Sequence, residues 1–260
     1  MTMWQTEYHD GVAILTINNP PVNALSRAAV AELHEQLIAL VNASERVSAV
    51  IITGFGEKAF VAGANIKEIN ALADLNDAQQ FGTAVLVLGK LMRTLPFAII
   101  AAVNGVAFGG GCELALMCDM RIASSTARLA LPEITLGLMP GWGGSVRVAR
   151  HAGASTAMMM ALTGEPVGAD DALRLGLVDR VVAPAELLAA AHTLAARIAS
   201  MASPVIATIK ATIWAGLEMP LDDALLAECT TFANVVIAPN AKEGTDAFLN
   251  KRAPRWDDRA

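Results

Sequence analysis

The sequence predicts an α/β protein, with an α/β core over residues 1–190 and a helical region over 191–260. Three observations carry that prediction. Strand-like runs such as Ala49-Val50-Ile51-Ile52-Thr53 and Ala98 to Val103 are continuously apolar, as in strands covered on both faces. Segments with helical spacing separate these runs, the order expected of a sheet flanked by helices. From about Ser155 onward the pattern is mostly helical.

Taken in order, Val12 to Ile17 reads as a strand, ended by Asn18-Asn19-Pro20-Pro21. Ser26 is placed to cap a helix from Arg27 to Val41, where Val30, Leu33, Leu37, Leu40 and Val41 recur at helical spacing. The Ala49–Thr53 strand closes at Gly54-Phe55-Gly56. The Ala98–Val103 strand feeds an Asn104-Gly105 turn, the run Gly109-Gly110-Gly111, a short helix through Met117 and a strand from Met120 to Ala123. Further helices are expected from Ala169 to Leu175 with Gly176 as its stop, from Pro184 to Ala199, from Ser203-Pro204 and from Asp222-Asp223. The Met158-Met159-Met160 run reads as core filler on a helix, and the charged tail from Arg252 is expected to fray.

With 260 residues, 54% apolar and only 17% charged, the chain can bury a sizeable core and is not disordered. Gly 20, Pro 11 and Cys 3 exclude collagen-like and disulfide-scaffold classes. A net charge of −6 argues against a nucleic-acid-binding face, so an anionic ligand must be held by a few basic groups or by backbone N–H. A mean hydropathy of +0.46 raises the question of a membrane span. The charge-free stretch between Arg93 and Glu113 approaches one in length, but Pro96, Asn104 and the glycine run would suit lipid badly. No membrane association is expected. The N-terminal MTMWQTEYHDG has no secretory pattern, and Cys112, Cys118 and Cys229 show no CxxC spacing, so a cytoplasmic location with reduced thiols is expected. Four scattered histidines give no metal-ligand pairing, and no metal is expected.

Four segments could carry chemistry. In Gly105 to Glu113, consecutive glycines after a buried strand allow close backbone approach, and the helix that follows aims free N–H groups outward, suiting a developing oxyanion. Glu113 falls in that helix's first turn, either as a partner of the helix dipole or as a working carboxylate. In Leu131-Pro132-Glu133-Ile134, Glu133 is the single charge between Leu129 and Val146, a setting that raises a carboxyl pKa. Phe60 to Glu68 is a small-residue turn ahead of a helix, with Lys67 close by for phosphate. Gly137 to Gly144 is a flexible turn presenting Trp142.

The order and spacing of these segments resemble the crotonase family, the enoyl-CoA hydratases and isomerases. The resemblance runs through Pro20-Pro21-Val22-Asn23-Ala24-Leu25, the AGANIKE segment, Ile100 to Gly111 with Cys118-Asp119, LPEITLGLMPG, TGEPVGADDALRLGLVDRVV and the EGTDAFLNKR tail. It implies a spiral of ββα units with a C-terminal helical region, assembled as homotrimers or as dimers of trimers. It implies an enoyl-CoA hydratase acting on an acyl-CoA substrate with no further cofactor. Glu113 and Glu133 match the family's two catalytic glutamates, and Ala64 and Gly110 match its oxyanion-hole N–H donors. Ala62, Ala64, Asn65, Ile66, Lys67 and Gly110 match positions that meet the substrate or CoA. Phe248 and Lys251 match tail residues that approach CoA across a subunit contact.

Two residues depart from the family pattern. Asn65 stands where Asp is usual, and Trp142 stands where a small residue is common, either facing the acyl pocket or packed on the exterior or a subunit contact. A Δ3,Δ2-enoyl-CoA isomerase is the nearest competing reading, since it needs chiefly one carboxylate. A dinucleotide-type turn at Gly54-Phe55-Gly56-Glu57-Lys58-Ala59 is a poor match, because Gly63 interrupts the helix that should hold the pyrophosphate.

Overall fold

The computed structural model describes residues 2–44 and 46–257. An N-terminal hairpin, β1 (Trp4–His9) and β2 (Val12–Ile17), is followed by helix α1 (Arg27–Val41). The chain then repeats a strand–strand–helix unit three times. The first unit is β3 (Ala49–Gly54), β4 (Ala59–Val61), α2 (Ile66–Asn70) and α3 (Leu75–Thr94). The second is β5 (Ala98–Val103), β6 (Val106–Phe108) and α4 (Gly110–Met117). The third is β7 (Met120–Ser124), β8 (Arg128–Ala130), a 3-10 turn over Pro132–Leu136 and α5 (Gly144–Thr163). β9 (Val167–Gly168), α6 (Ala169–Arg174) and β10 (Arg180–Val182) lead into α7 (Leu187–Ala199), α8 (Ser203–Gly216), α9 (Leu221–Ile237) and α10 (Pro239–Leu249).

The first strand of each unit enters a six-stranded sheet of order β1-β2-β3-β5-β7-β10, parallel except for the hairpin. The second strand enters a four-stranded sheet of order β4-β6-β8-β9, antiparallel only at β8–β9. This is the ββα spiral that the resemblance implies. The continuous apolar runs serve both faces of the larger sheet. Val50, Ile52, Ile99 and Ala101 pack in the cluster holding Leu33 and Leu37 of α1 and Leu88 and Met92 of α3. Ala49, Ile51, Ile100 and Ala102 pack instead with Leu187, Ala191, Ala195 and Ala199 of α7. Residue 190 therefore lies within α7, a helix that covers the sheet. Ser26 caps α1 by accepting from the Ala29 N–H at 3.0 Å.

Several elements escape sequence patterning. β4, β6 and β8 have three residues each, too few to show a period. The tail does not fray through residue 257: Arg252 pairs with Glu243 and Asp246, and the Trp256 indole N–H donates to the Ser200 carbonyl at 2.8 Å. Of the methionine run only Met160 is core; Met158 and Met159 face outward. The Gly54–Ala59 turn leads into strand β4 and not into a helix, and Asn104 clasps it by donating to the Gly54 and Gly56 carbonyls. It offers no helix N-terminus to a pyrophosphate. Among the described residues no single helix is long and apolar enough to cross a membrane.

A buried charge pair ties α8 to the larger sheet. Lys210 Nζ lies 2.7 Å from Asp119 Oδ2 and donates to the Phe97 carbonyl at 2.9 Å. Asp119 also accepts from the Trp214 indole N–H and the Ile99 N–H. Replacing Lys210 with Met leaves that carboxylate buried without its cation and should cost about 3–5 kcal/mol of stability. Denaturant titration measures the loss, and adding Asp119→Asn should recover part of it.

Candidate active site

The site forms where the second strands of successive units end. After β4 the chain turns at Gly63, whose φ of +112° suits glycine alone, and presents Ala64. After β6 it turns at Gly109, φ +50°, and enters α4 at Gly110. The two turns touch: a Cβ on Gly110 would stand 3.4 Å from the Ala64 nitrogen. A Cβ on Gly111 would overlap the Val61 carbonyl, so α4 can approach β4 only with glycine there. Gly110 begins α4, so its N–H has no intrahelical acceptor. The Leu25–Ala64 bridge is bonded through Gly63 and Asn65, leaving the Ala64 N–H out. Neither N–H finds an acceptor among the described residues.

Glu113, 2% exposed, sits one turn into α4. Its Oε1 accepts two short bonds, from the Trp142 and Gly144 N–H groups, each at 2.7 Å. Burial pushes its pKa up to about 7, and these two donors oppose that rise. Glu133 lies on the 3-10 turn after β8, with its Oε1 2.7 Å from where a Cβ on Gly109 would stand. Burial raises its pKa as well, and its buried Oε2 has no hydrogen-bond partner among the described residues. The pair therefore differs in wiring: two amides hold Glu113 toward the carboxylate, whereas the buried Oε2 of Glu133 has no such donor among the described residues.

Both glutamates line one pocket of about 400 Å³, together with Ala62, Ala64, Ile66 and Gly110. The structure places Trp142 in the wall of this pocket. The indole is 8% exposed, lines this pocket, and would meet a Cβ on Gly110 at 2.5 Å from Cζ3. Phe81, which sequence patterning did not single out, packs on it with ring centroids 5.3 Å apart. The Gly144 N–H was equally unsignalled, because only the fold brings α5 against α4.

The remaining expected residues are arranged differently. Asn65 caps α2, accepting from the Lys67 N–H at 3.1 Å, and neither residue lines the pocket. Lys67 is exposed at the first turn of that helix. Phe248, 83% exposed, and Lys251 stand on the surface at the end of α10, apart from the pocket residues of this chain.

Comparison with known proteins agrees with this geometry. The family model described as enoyl-CoA hydratase/isomerase matches residues 7–259. The chain is 40% identical over 242 residues to the short-chain-enoyl-CoA hydratase of Clostridium acetobutylicum, covering 93% of this chain and 92% of that one. It is 39% identical over 247 residues to the crotonyl-CoA hydratase of Syntrophomonas wolfei, covering 95% and 94%. Among solved structures, DspI of Pseudomonas aeruginosa superposes with a TM-score of 0.94 at 36% identity, covering 99% of this chain and 97% of that one. The enoyl-CoA hydratase of Bacillus anthracis superposes with a TM-score of 0.93 at 34% identity, covering 99% and 100%. Two glutamates facing two unpaired amides on a ββα spiral thus coincide with similarity over nearly the whole chain, which belongs to the enoyl-CoA hydratase/isomerase family.

Proposed function

We propose that this protein is an enoyl-CoA hydratase, adding water reversibly and syn to a trans-2-enoyl-CoA to give a 3-hydroxyacyl-CoA. The observation that carries the reading is the convergence of Glu113, Glu133 and the free Ala64 and Gly110 N–H groups on one pocket. The relatives named as short-chain-enoyl-CoA and crotonyl-CoA hydratases support it. The thioester oxygen binds between the two N–H groups, which stabilise the charge that develops when water attacks Cβ. Glu113, fixed by two amides on Oε1, keeps Oε2 to orient and deprotonate that water. Glu133, whose pKa burial raises, delivers a proton to Cα. Bond making at Cβ and Cα from two carboxyls beside one face gives the syn outcome. CoA enters as part of the substrate, and the chemistry calls for no other cofactor.

Isomerisation between Cα and Cγ would need Glu133 chiefly, and would leave Glu113 without a chemical role. A second carboxyl in the pocket favours hydration. Lys251 and Phe248 enter the reading as CoA contacts supplied between copies. The apolar faces that α8 and α9 expose, including Ile213, Leu221 and Phe232, fit burial in a homotrimer or dimer of trimers. A cytoplasmic location completes the proposal.

Loss of the conjugated-thioester absorbance of crotonyl-CoA tests the reaction directly. Glu113→Gln and Glu133→Gln should each lower kcat by about 10²–10⁴-fold, and wild-type rates in either would overturn the assignment. The pH profile carries a sign. Below about 7 Glu113 takes up a proton and cannot accept one from water, so kcat/KM for hydration should rise with pH through that region. Trp142→Ala should raise kcat/KM for longer chains relative to crotonyl-CoA, by about 1–3 kcal/mol per methylene accommodated. An unchanged chain-length profile would show that the indole sets no limit.

A further inference from the structure

Behind Trp142 lies a second cavity of about 1090 Å³, between α3, the start of α5 and the end of α8. Gly82, Met139, Gly141 and Trp142 line both this groove and the catalytic pocket, so one wall separates them. At Gly82 the space is open: a Cβ placed there would meet nothing within 4 Å. A chain passing beside the indole on the Gly82 and Met139 side would emerge in the groove.

The groove is cationic. Its titratable lining groups are Arg93, Arg147, Arg150, His151 and Glu218. Glu218 is shared, its Oε1 accepting from Arg150 Nη1 at 2.8 Å and from Arg93 Nη1 at 3.3 Å. Burial and Arg121 hold His151 below its ordinary pKa, so it adds no charge near neutrality. Arg147 is half-buried against Gly89 and Gly143, where its Nη2 and Nε come within 3.0 and 3.1 Å of the Cβ positions. Its side chain makes no hydrogen bond and no ion pair with any described residue. Three guanidinium groups thus line a groove that holds one carboxylate, and the innermost, half-buried, has no hydrogen-bond acceptor among the described residues. A planar fork of this kind fits a carboxylate in bidentate geometry.

We propose that this groove is a subsite for the far end of the acyl chain, selecting enoyl-CoA thioesters whose chain ends in a carboxylate. The inference rests on the hydratase reading and narrows its substrate class. A methyl-ended chain of the same length would place apolar carbon beside a half-buried guanidinium. A carboxylate-ended chain would instead supply the missing acceptor. Short methyl-ended chains stop before the wall and do not reach the subsite.

The test compares kcat/KM for paired substrates, hex-2-enedioyl-CoA against trans-2-hexenoyl-CoA, and the corresponding octene pair. Both members of a pair carry the same CoA phosphates, so their ratio reads the acyl terminus alone. Arg147 also acts electrostatically on Glu113, and a ratio cancels that effect on the rate. In wild type, at least one pair should favour the carboxylate by roughly 10–100-fold, and the preference should shrink as salt rises. In Arg147→Gln with Arg150→Gln the ratio should fall to near one. Gly82→Leu puts a side chain in the path while improving helix propensity, and should lower kcat/KM for both octene substrates relative to crotonyl-CoA. Wild-type ratios at or below one in both pairs, or a preference that persists in the double variant, would overturn the proposal. If no enoyl-CoA is hydrated, the functional reading fails by itself. Calorimetry with adipoyl-CoA and hexanoyl-CoA, suberoyl-CoA and octanoyl-CoA then decides the subsite, and equal affinities within both pairs would sink it.

Discussion

The structure turns on one constraint: the carboxylate of Glu113 is buried in an apolar core and must be paid for by hydrogen bonds. An ionised carboxyl there is expensive unless donors surround it. The protein supplies two peptide N–H groups, from Trp142 and Gly144, to one oxygen. Backbone donors cannot swing away as side chains can, so the turn from Gly141 to Gly144 has to hold a fixed path against α4. Gly143 adopts φ +105°, and a Cβ on Gly144 would stand 2.6 Å from Leu131 Cδ2 and 3.0 Å from Glu113 Oε1. The glycine-rich turn is therefore a consequence of the buried carboxylate.

The same constraint sets the asymmetry of the pair. Two carboxyls face one small pocket, and burial disfavours charge on both. Donors stabilise the charged form of Glu113, whereas Glu133 leaves an oxygen with no hydrogen-bond partner among the described residues. Chemically identical groups thus sit in different surroundings, and the proposed division into base and acid rests on that difference in wiring.

How far the sequence is legible depends on how local each determinant is. The long strands, the Ser26 cap and the Gly176 stop are read from neighbours in the chain, and they stand in the structure. The smaller sheet was not legible as strands, because three residues carry no period. It nevertheless places Ala64 and Gly110 side by side. Glu113 and Glu133 stood out by their apolar surroundings and by family resemblance, yet the wiring that separates their roles is non-local. Gly144 is 31 residues from Glu113 in sequence. The tail was misjudged for the same reason: its charge suggested fraying, but Arg252 and Trp256 find partners only once α7 and α10 have folded.

The two departures from the family pattern, Asn65 and Trp142, are physically connected through Arg27. Asn65 Nδ2 lies 3.5 Å from Glu68 Oε1, while Glu68 Oε2 accepts from the Arg27 N–H at 2.8 Å. Aspartate at 65 would keep the cap on α2 but set a second negative charge against Glu68. Asparagine keeps the cap and turns that repulsion into a donor contact. Glu68 is then free to hold the start of α1, from which the Arg27 side chain reaches Asp77 and lies 5.2 Å over the Phe81 ring. Phe81 in turn braces the Trp142 indole. The residue that caps α2 and the aromatic wall of the pocket belong to one contact chain. A large indole at 142 is held in place through α1 and α3, and its backbone N–H stays aimed at Glu113.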